Sequence, residues 1–209
     1  VSGTTVIVDG EALRATDGAP LWSAGDCADG FVTAGGSLVC GPAAREVATG
    51  TPAAGSWPAG PSTPLGCDVA RSGCAGLRDA AGRGWLTATG TPVRTPALDD
   101  PASTAAGDLV LTTGAGAITA TGAATWRWAG TATILGARAG KVAMLTPDRR
   151  LVTLDAATGA ELAAFPLYTR NERQEPWEPG RWQLTDSWVA VERLEDPYYT
   201  ADPAVVAAF

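Results

Sequence analysis

Asp99 and Asp100 stand side by side in Pro96-Ala-Leu-Asp-Asp-Pro101, and a pair of carboxylates is the minimum equipment for acid–base cleavage of a glycosidic bond. Adjacent residues of a Pro-bounded loop project in different directions, so this pair reads as a solvated turn. The 209-residue chain has no His, which removes Ser-His-Asp and Cys-His nucleophile systems. Gly114-Ala-Gly-Ala117 has the glycine content of a phosphate cradle, but a strand-like run follows where a helix N-terminus is needed. No catalytic residue, cofactor or metal is expected.

The four cysteines fall as two local pairs, Cys27 with Cys40 and Cys67 with Cys74. Successive spacings of 13, 27 and 7, without any His, match no zinc ribbon or finger. Two local disulfides are expected because short loops close most readily, with free buried thiols as the alternative. Disulfides would place the domain outside the cytosol.

The net charge is -7, from 22 acidic against 15 basic residues, and Lys141 is the only lysine. Phosphate neutralisation needs a basic stripe, and the sequence shows none, so nucleic acid and anionic membrane surfaces are not expected as partners. No apolar run approaches the roughly 20 residues of a membrane span. Arg and Ala dominate over Lys, Asn and Ile, the mark of GC-rich coding DNA of the actinobacterial kind. The sole Met is Met144, so the chain starts after processing or is cut from something longer, and removal of an N-terminal signal or anchor fits both.

The elements that must position these residues repeat. Five strand-like runs end in a small polar pair and a glycine: Glu11–Gly18, Arg45–Gly50, Gly84–Gly90, Ala117–Gly122 and Leu151–Gly159, with closing glycines 32, 40, 32 and 37 residues apart. A period in that range marks a repeat architecture. An apolar strand precedes most copies (Thr5–Val8, Ser37–Cys40, Leu109–Thr112, Val142–Leu145). A strand bearing an aromatic follows: Trp22, Trp57, Trp126 or Trp128, Phe165. With 26 Gly and 15 Pro there is little room for long helices, while 45% hydrophobic content supports one folded domain. Short apolar runs between glycine turns predict antiparallel meanders.

The run Lys141-Val-Ala-Met-Leu-Thr-Pro-Asp-Arg-Arg-Leu-Val-Thr-Leu-Asp-Ala-Ala-Thr-Gly-Ala-Glu-Leu-Ala-Ala-Phe165 resembles one repeat of the pyrroloquinoline-quinone-like (quinoprotein-type) β-propellers. Ala12–Trp22 and Leu109–Trp128 resemble it more loosely, and the resemblance covers most of residues 4–167 in degraded form. It implies an all-β fold, a β-propeller of antiparallel four-stranded blades, as a single domain over 1–209 that is whole or part of a longer chain. Five repeats are recognisable. Trp182–Leu194 would supply a sixth, and the last short strand, Ala204–Phe209, would meet the first at Thr4–Val8. Quinone dehydrogenases of that family hold their cofactor beside a calcium ion bound by Glu, Asn and Asp and often carry a disulfide between neighbouring cysteines. This chain has no adjacent Cys pair and one Asn, Asn171, outside the repeats. Quinone-dependent oxidation is therefore not expected.

Residues 168–181 depart from the repeat as a charged loop rich in Trp and Pro. Arg170, Arg173, Trp177, Arg181, Trp182, Tyr198 and Tyr199 make the candidate partner surface, being the residue types enriched at interface hot spots. The competing account is a surface loop and a closing strand whose Trp side chains fill gaps between blades. The expected role is a non-enzymatic extracytoplasmic scaffold that presents loops to a protein partner, as the resembling lipoprotein of the bacterial outer-membrane assembly machinery does. The alternative is the ligand-sensing outer domain of a membrane-anchored protein, taking a small molecule or glycan.

Overall fold

The computed structural model describes residues 4–25, 27, 29–68, 71–166, 179–185, 187–193 and 205–208. Their architecture is all-β, a succession of antiparallel sheets of the β-propeller blade type, each built from consecutive strands. Sheet one holds β1 (Thr5–Val8), β2 (Glu11–Arg14) and β3 (Pro20–Ser23). Sheet two holds β4 (Phe31–Val32), β5 (Ser37–Cys40) and β6 (Ala43–Glu46). Sheet three holds β7 (Ser62–Leu65), β8 (Gly76–Asp79), β9 (Gly84–Leu86) and β10 (Val93–Arg94), followed by a 3-10 turn over Pro96–Asp99. Sheet four has β11 (Ser103–Ala106), β12 (Leu109–Gly114), β13 (Ala117–Gly122) and β14 (Trp126–Ala129). Sheet five has β15 (Thr133–Arg138), β16 (Lys141–Leu145), β17 (Arg150–Asp155) and β18 (Glu161–Pro166). Sheet six has β19 (Pro179–Leu184), β20 (Trp188–Arg193) and β21 (Val205–Ala208). The chain divides into two compact units, Val1–Val110 and Leu111–Phe209, with the division inside β12.

Tight turns set the register. Asp9-Gly10, Ala115-Gly116 and Ala139-Gly140 all have positive φ at both residues, the two-residue hairpin geometry that matches strand twist. Gly114-Ala-Gly-Ala is thus a hairpin between β12 and β13. The inner strands read as unbroken apolar runs because neighbouring sheets cover both faces. Val142, Ala143, Met144, Leu151, Val152 and Leu154 are essentially inaccessible. Within the first unit, Cys27, Leu38 and Val47 pack with Ile7 and Trp22 between sheets one and two. Phe31, Val39, Cys74 and Leu77 lie between sheets two and three, and Ala75, Leu98, Ala105 and Val110 follow. In the second unit Leu135, Leu145, Leu151, Val189 and Val191 pack with Trp182 and Leu184.

The repeat glycines divide into two geometries. Gly18, Gly50 and Gly159 donate their amides to the carbonyl four residues back, on Arg14, Glu46 and Asp155, each at 2.8 Å. In each of these copies the residue that supplies that carbonyl also donates its own amide across the turn, to Ala19, Thr51 or Ala160. Gly90 instead donates to Thr87, and Gly122 is the last residue of β13. Trp57, expected on a strand, lies in the connection between β6 and β7, where its indole N–H donates to Ala54. A Pro- and Gly-rich stretch (Thr51-Pro-Ala-Ala-Gly-Ser-Trp-Pro58) leaves the outer edge of sheet two as a single bridge, Arg45 with Pro52. Pro179–Arg181, counted with the charged loop, belong to β19, and β21 pairs with β20.

Candidate functional site

All four cysteines are paired, Cys27 with Cys40 and Cys67 with Cys74, with Cα separations of 5.4 and 4.1 Å. The second pair closes the loop between β7 and β8 directly beyond their last register pair, Leu65 with Gly76.

Several of the described carboxylates are committed to holding loops and hairpins. Asp99 accepts from the Gly84 amide at 2.7 Å through one oxygen and from the Arg94 guanidinium at 2.6 Å through the other. The Arg94 and Gly84 bonds hold its pKa below the usual carboxylate value. Asp100 accepts from Ala102. The two acids therefore turn away from each other, each at work in the loop. Arg78 secures the same segment, donating to the carbonyls of Leu98, Asp100 and Ser103. Asp155 accepts from the Thr158 hydroxyl and amide and from the Ala157 amide, and the Thr158 bonds lower its pKa. Among the described residues no three Cys, Asp or Glu side chains converge to hold a metal ion. Asp99, Asp100 and Asp155 spend their oxygens on amides, a hydroxyl and a guanidinium group, so this described set does not fit a calcium-bound quinone.

Among the described residues Asp79 is the one carboxylate buried in a hairpin, its side chain 2% exposed. Burial pushes its pKa up, but the Arg83 amide, the Arg83 guanidinium at 2.8 Å and the Ala81 amide together outweigh that and leave it lowered. A lowered folded value means stability that is present above the unfolded value of 3.8 and is lost as pH falls through the folded one. Asp79→Asn keeps an acceptor oxygen for the amides without the charge. Its urea midpoint is therefore expected to fall less than that of the wild type between about pH 5 and about pH 2. Parallel pH profiles would refute this.

Of the expected partner surface, Arg170, Arg173, Trp177, Tyr198 and Tyr199 lie outside the described residues. Arg181 is described only by its place in β19. Trp182 donates its indole N–H to the Leu135 carbonyl at 2.8 Å and packs on the Leu135–Val191 cluster, a position that fills the gap between sheets five and six. Sequence reasoning passed over a second Trp–Arg grouping. Arg94 lies 6.0 Å above the Trp85 ring across the β9–β10 pair, beside the exposed Val93. Its signal is a cross-strand spacing of nine residues, legible only once the hairpin register is known.

No protein-family model matches the sequence, and no curated protein matches it. Among solved structures, the computationally designed Ika8 protein is similar at 14% identity with a TM-score of 0.39, over 92% of this chain and 66% of that one. BamB from Moraxella catarrhalis is similar at 15% identity with a TM-score of 0.36, over 90% of this chain and 57% of that one. At these values the description of the fold rests on the sheets themselves. The chain spans less than two thirds of either.

Proposed function

We propose that this chain is a non-enzymatic extracytoplasmic domain of propeller blades. In this reading its surface around Arg170, Arg173, Trp177, Arg181, Tyr198 and Tyr199 engages another protein, while Trp182 packs inward between sheets five and six. The observation that carries the reading is the pairing of every cysteine in a disulfide, which is stable in oxidising compartments and uncommon in the cytosol. The non-enzymatic part is supported by the use made of the polar groups, since Asp79 and Asp155 each bind their own turn and Asp99 binds the Gly84 amide and Arg94 of the adjoining strands. No helix among the described residues is long and apolar enough to cross a membrane.

The test is isolation of the protein from the envelope of cells producing it, with a protein bound in a fixed ratio. Arg173→Ala with Trp177→Ala is expected to release that protein, while Arg14→Ala, at an exposed ion pair on sheet one, retains it. Saturable tryptophan quenching by a sugar or a quinone at micromolar concentration, with no bound protein, would instead establish the ligand-sensing role.

A further inference from the structure

The loop that Cys67 and Cys74 close also extends the neighbouring sheet. Val32 of β4 donates its amide to the Arg71 carbonyl at 2.9 Å and accepts from the Cys74 amide at 3.0 Å. Two residues on, Ala34 donates to the Cys74 carbonyl at 2.8 Å. Thr33 and Cys74 form a parallel bridge, so Arg71–Cys74 covers the edge of β4 that β5 does not use. The Cys74 carbonyl takes a second donor, the Thr87 hydroxyl at 3.1 Å, from beyond β9. Arg71 adds a bond to the Asp29 carbonyl. One short segment thus joins sheet two to sheet three, and one covalent bond ties its Cys74 end to Cys67.

We propose that the Cys67–Cys74 disulfide is a redox-operated latch on this joint, opened by a dithiol reductant. Cys67 is partly exposed and Cys74 is inaccessible, which directs attack to the Cys67 sulfur. A thiolate of the dithiol bonds to the Cys67 sulfur and the Cys74 thiolate leaves. The second thiol then displaces Cys67 from the mixed disulfide. Two electrons pass to the protein, the two dithiol protons end on Cys67 and Cys74, and the reductant ends as its own disulfide. Freed of the ring, Arg71–Cys74 lifts off β4 and the sheet edge is uncovered. The Cys27–Cys40 bond has no such consequence. An added Cβ at Gly30 would overlap the Cys27 sulfur, and among the described residues the Cys27 carbonyl accepts from the local Gly30 amide.

Residue-resolved hydrogen exchange on the whole chain tests this. With dithiothreitol, the Val32, Ala34 and Cys74 amides are expected to lose protection by about 30-fold, the lower end of what closing a loop contributes. Glu46 and Val47, whose amides bond to the Thr51 and Gly36 carbonyls flanking the strands of sheet two, should hold theirs, and reoxidation should restore the pattern. Cys67→Ser with Cys74→Ser should reproduce the loss without reductant, and Cys27→Ala with Cys40→Ala should spare those three amides. Protection unchanged within about threefold in the reduced protein overturns the proposal. So does an equal loss at Glu46 and Val47, which would mean that the disulfide merely holds the whole sheet.

Discussion

Trp126→Ala is expected to destabilise the protein by about 3–5 kcal/mol, the range for truncating a buried Trp, read as a lowered urea midpoint. Trp126 lies on β14, 8% exposed, and donates its indole N–H at 2.8 Å to the Ala156 carbonyl in the turn after β17. Its ring rests against Gly159, where an added Cβ would come within 2.6–2.8 Å of three ring carbons. Truncation leaves a ring-sized void and an unpaired carbonyl. Trp126→Phe, which restores most of the volume, should recover all but about 1 kcal/mol. Gly159→Ala destabilises for two separable reasons, the collision with the ring and φ of +70°. With Trp126→Ala already present only the backbone penalty of about 1 kcal/mol remains. The double mutant should therefore be less destabilised than the sum by more than about 0.5 kcal/mol, and strict additivity would show that ring and glycine do not meet.

The same arrangement recurs at Trp22, which donates to Val47 at 3.1 Å and stacks on Gly50. In both cases the carbonyl belongs to the residue three before the glycine. Spacing and turn chemistry made the strands legible in the sequence, along with the hairpins, the cysteine pairing and the position of these glycines. What those residues did not reveal was why a glycine must stand there. A positive φ explains part of it, and the rest is a tryptophan arriving from 28 or 33 residues earlier. Nor does the wording Ala-Thr-Gly fix the geometry. Residues 48–50 and 157–159 make the turn that receives a Trp, whereas 120–122 are the last residues of strand β13. Asp99 and Asp100 were readable as a loop but not as its fasteners, since their partners Gly84, Arg94 and Arg78 come together only through the register of β8, β9 and β10. The candidate partner surface was legible as composition alone, and composition does not say which Trp points inward. Trp182 does.

Gly84→Ala is expected to cost about 3 kcal/mol, the upper part of the usual range for overpacking. Two residues earlier in the same hairpin, Gly82→Ala should cost only about 1 kcal/mol. Gly82 has φ of +78° and open space where a Cβ would go, so its penalty is conformational. Gly84 has ordinary strand geometry, and a Cβ there would overlap the Leu98 Cβ and lie 2.7 and 2.8 Å from the Leu98 carbonyl carbon and oxygen. Leu98 has no room to retreat. Its side chain is fully buried, Arg78 holds its carbonyl with two donors, and Asp99 grips the Gly84 amide itself. Guanidinium unfolding of the two variants should rank Gly84→Ala well below Gly82→Ala. The reverse order would mean that the 3-10 turn is not seated on the hairpin, and Asp99 and Asp100 would again be free to act as a carboxylate pair. If the ranking holds, the most chemically suggestive residues in the chain are the ones that fasten sheet three to its own exit turn.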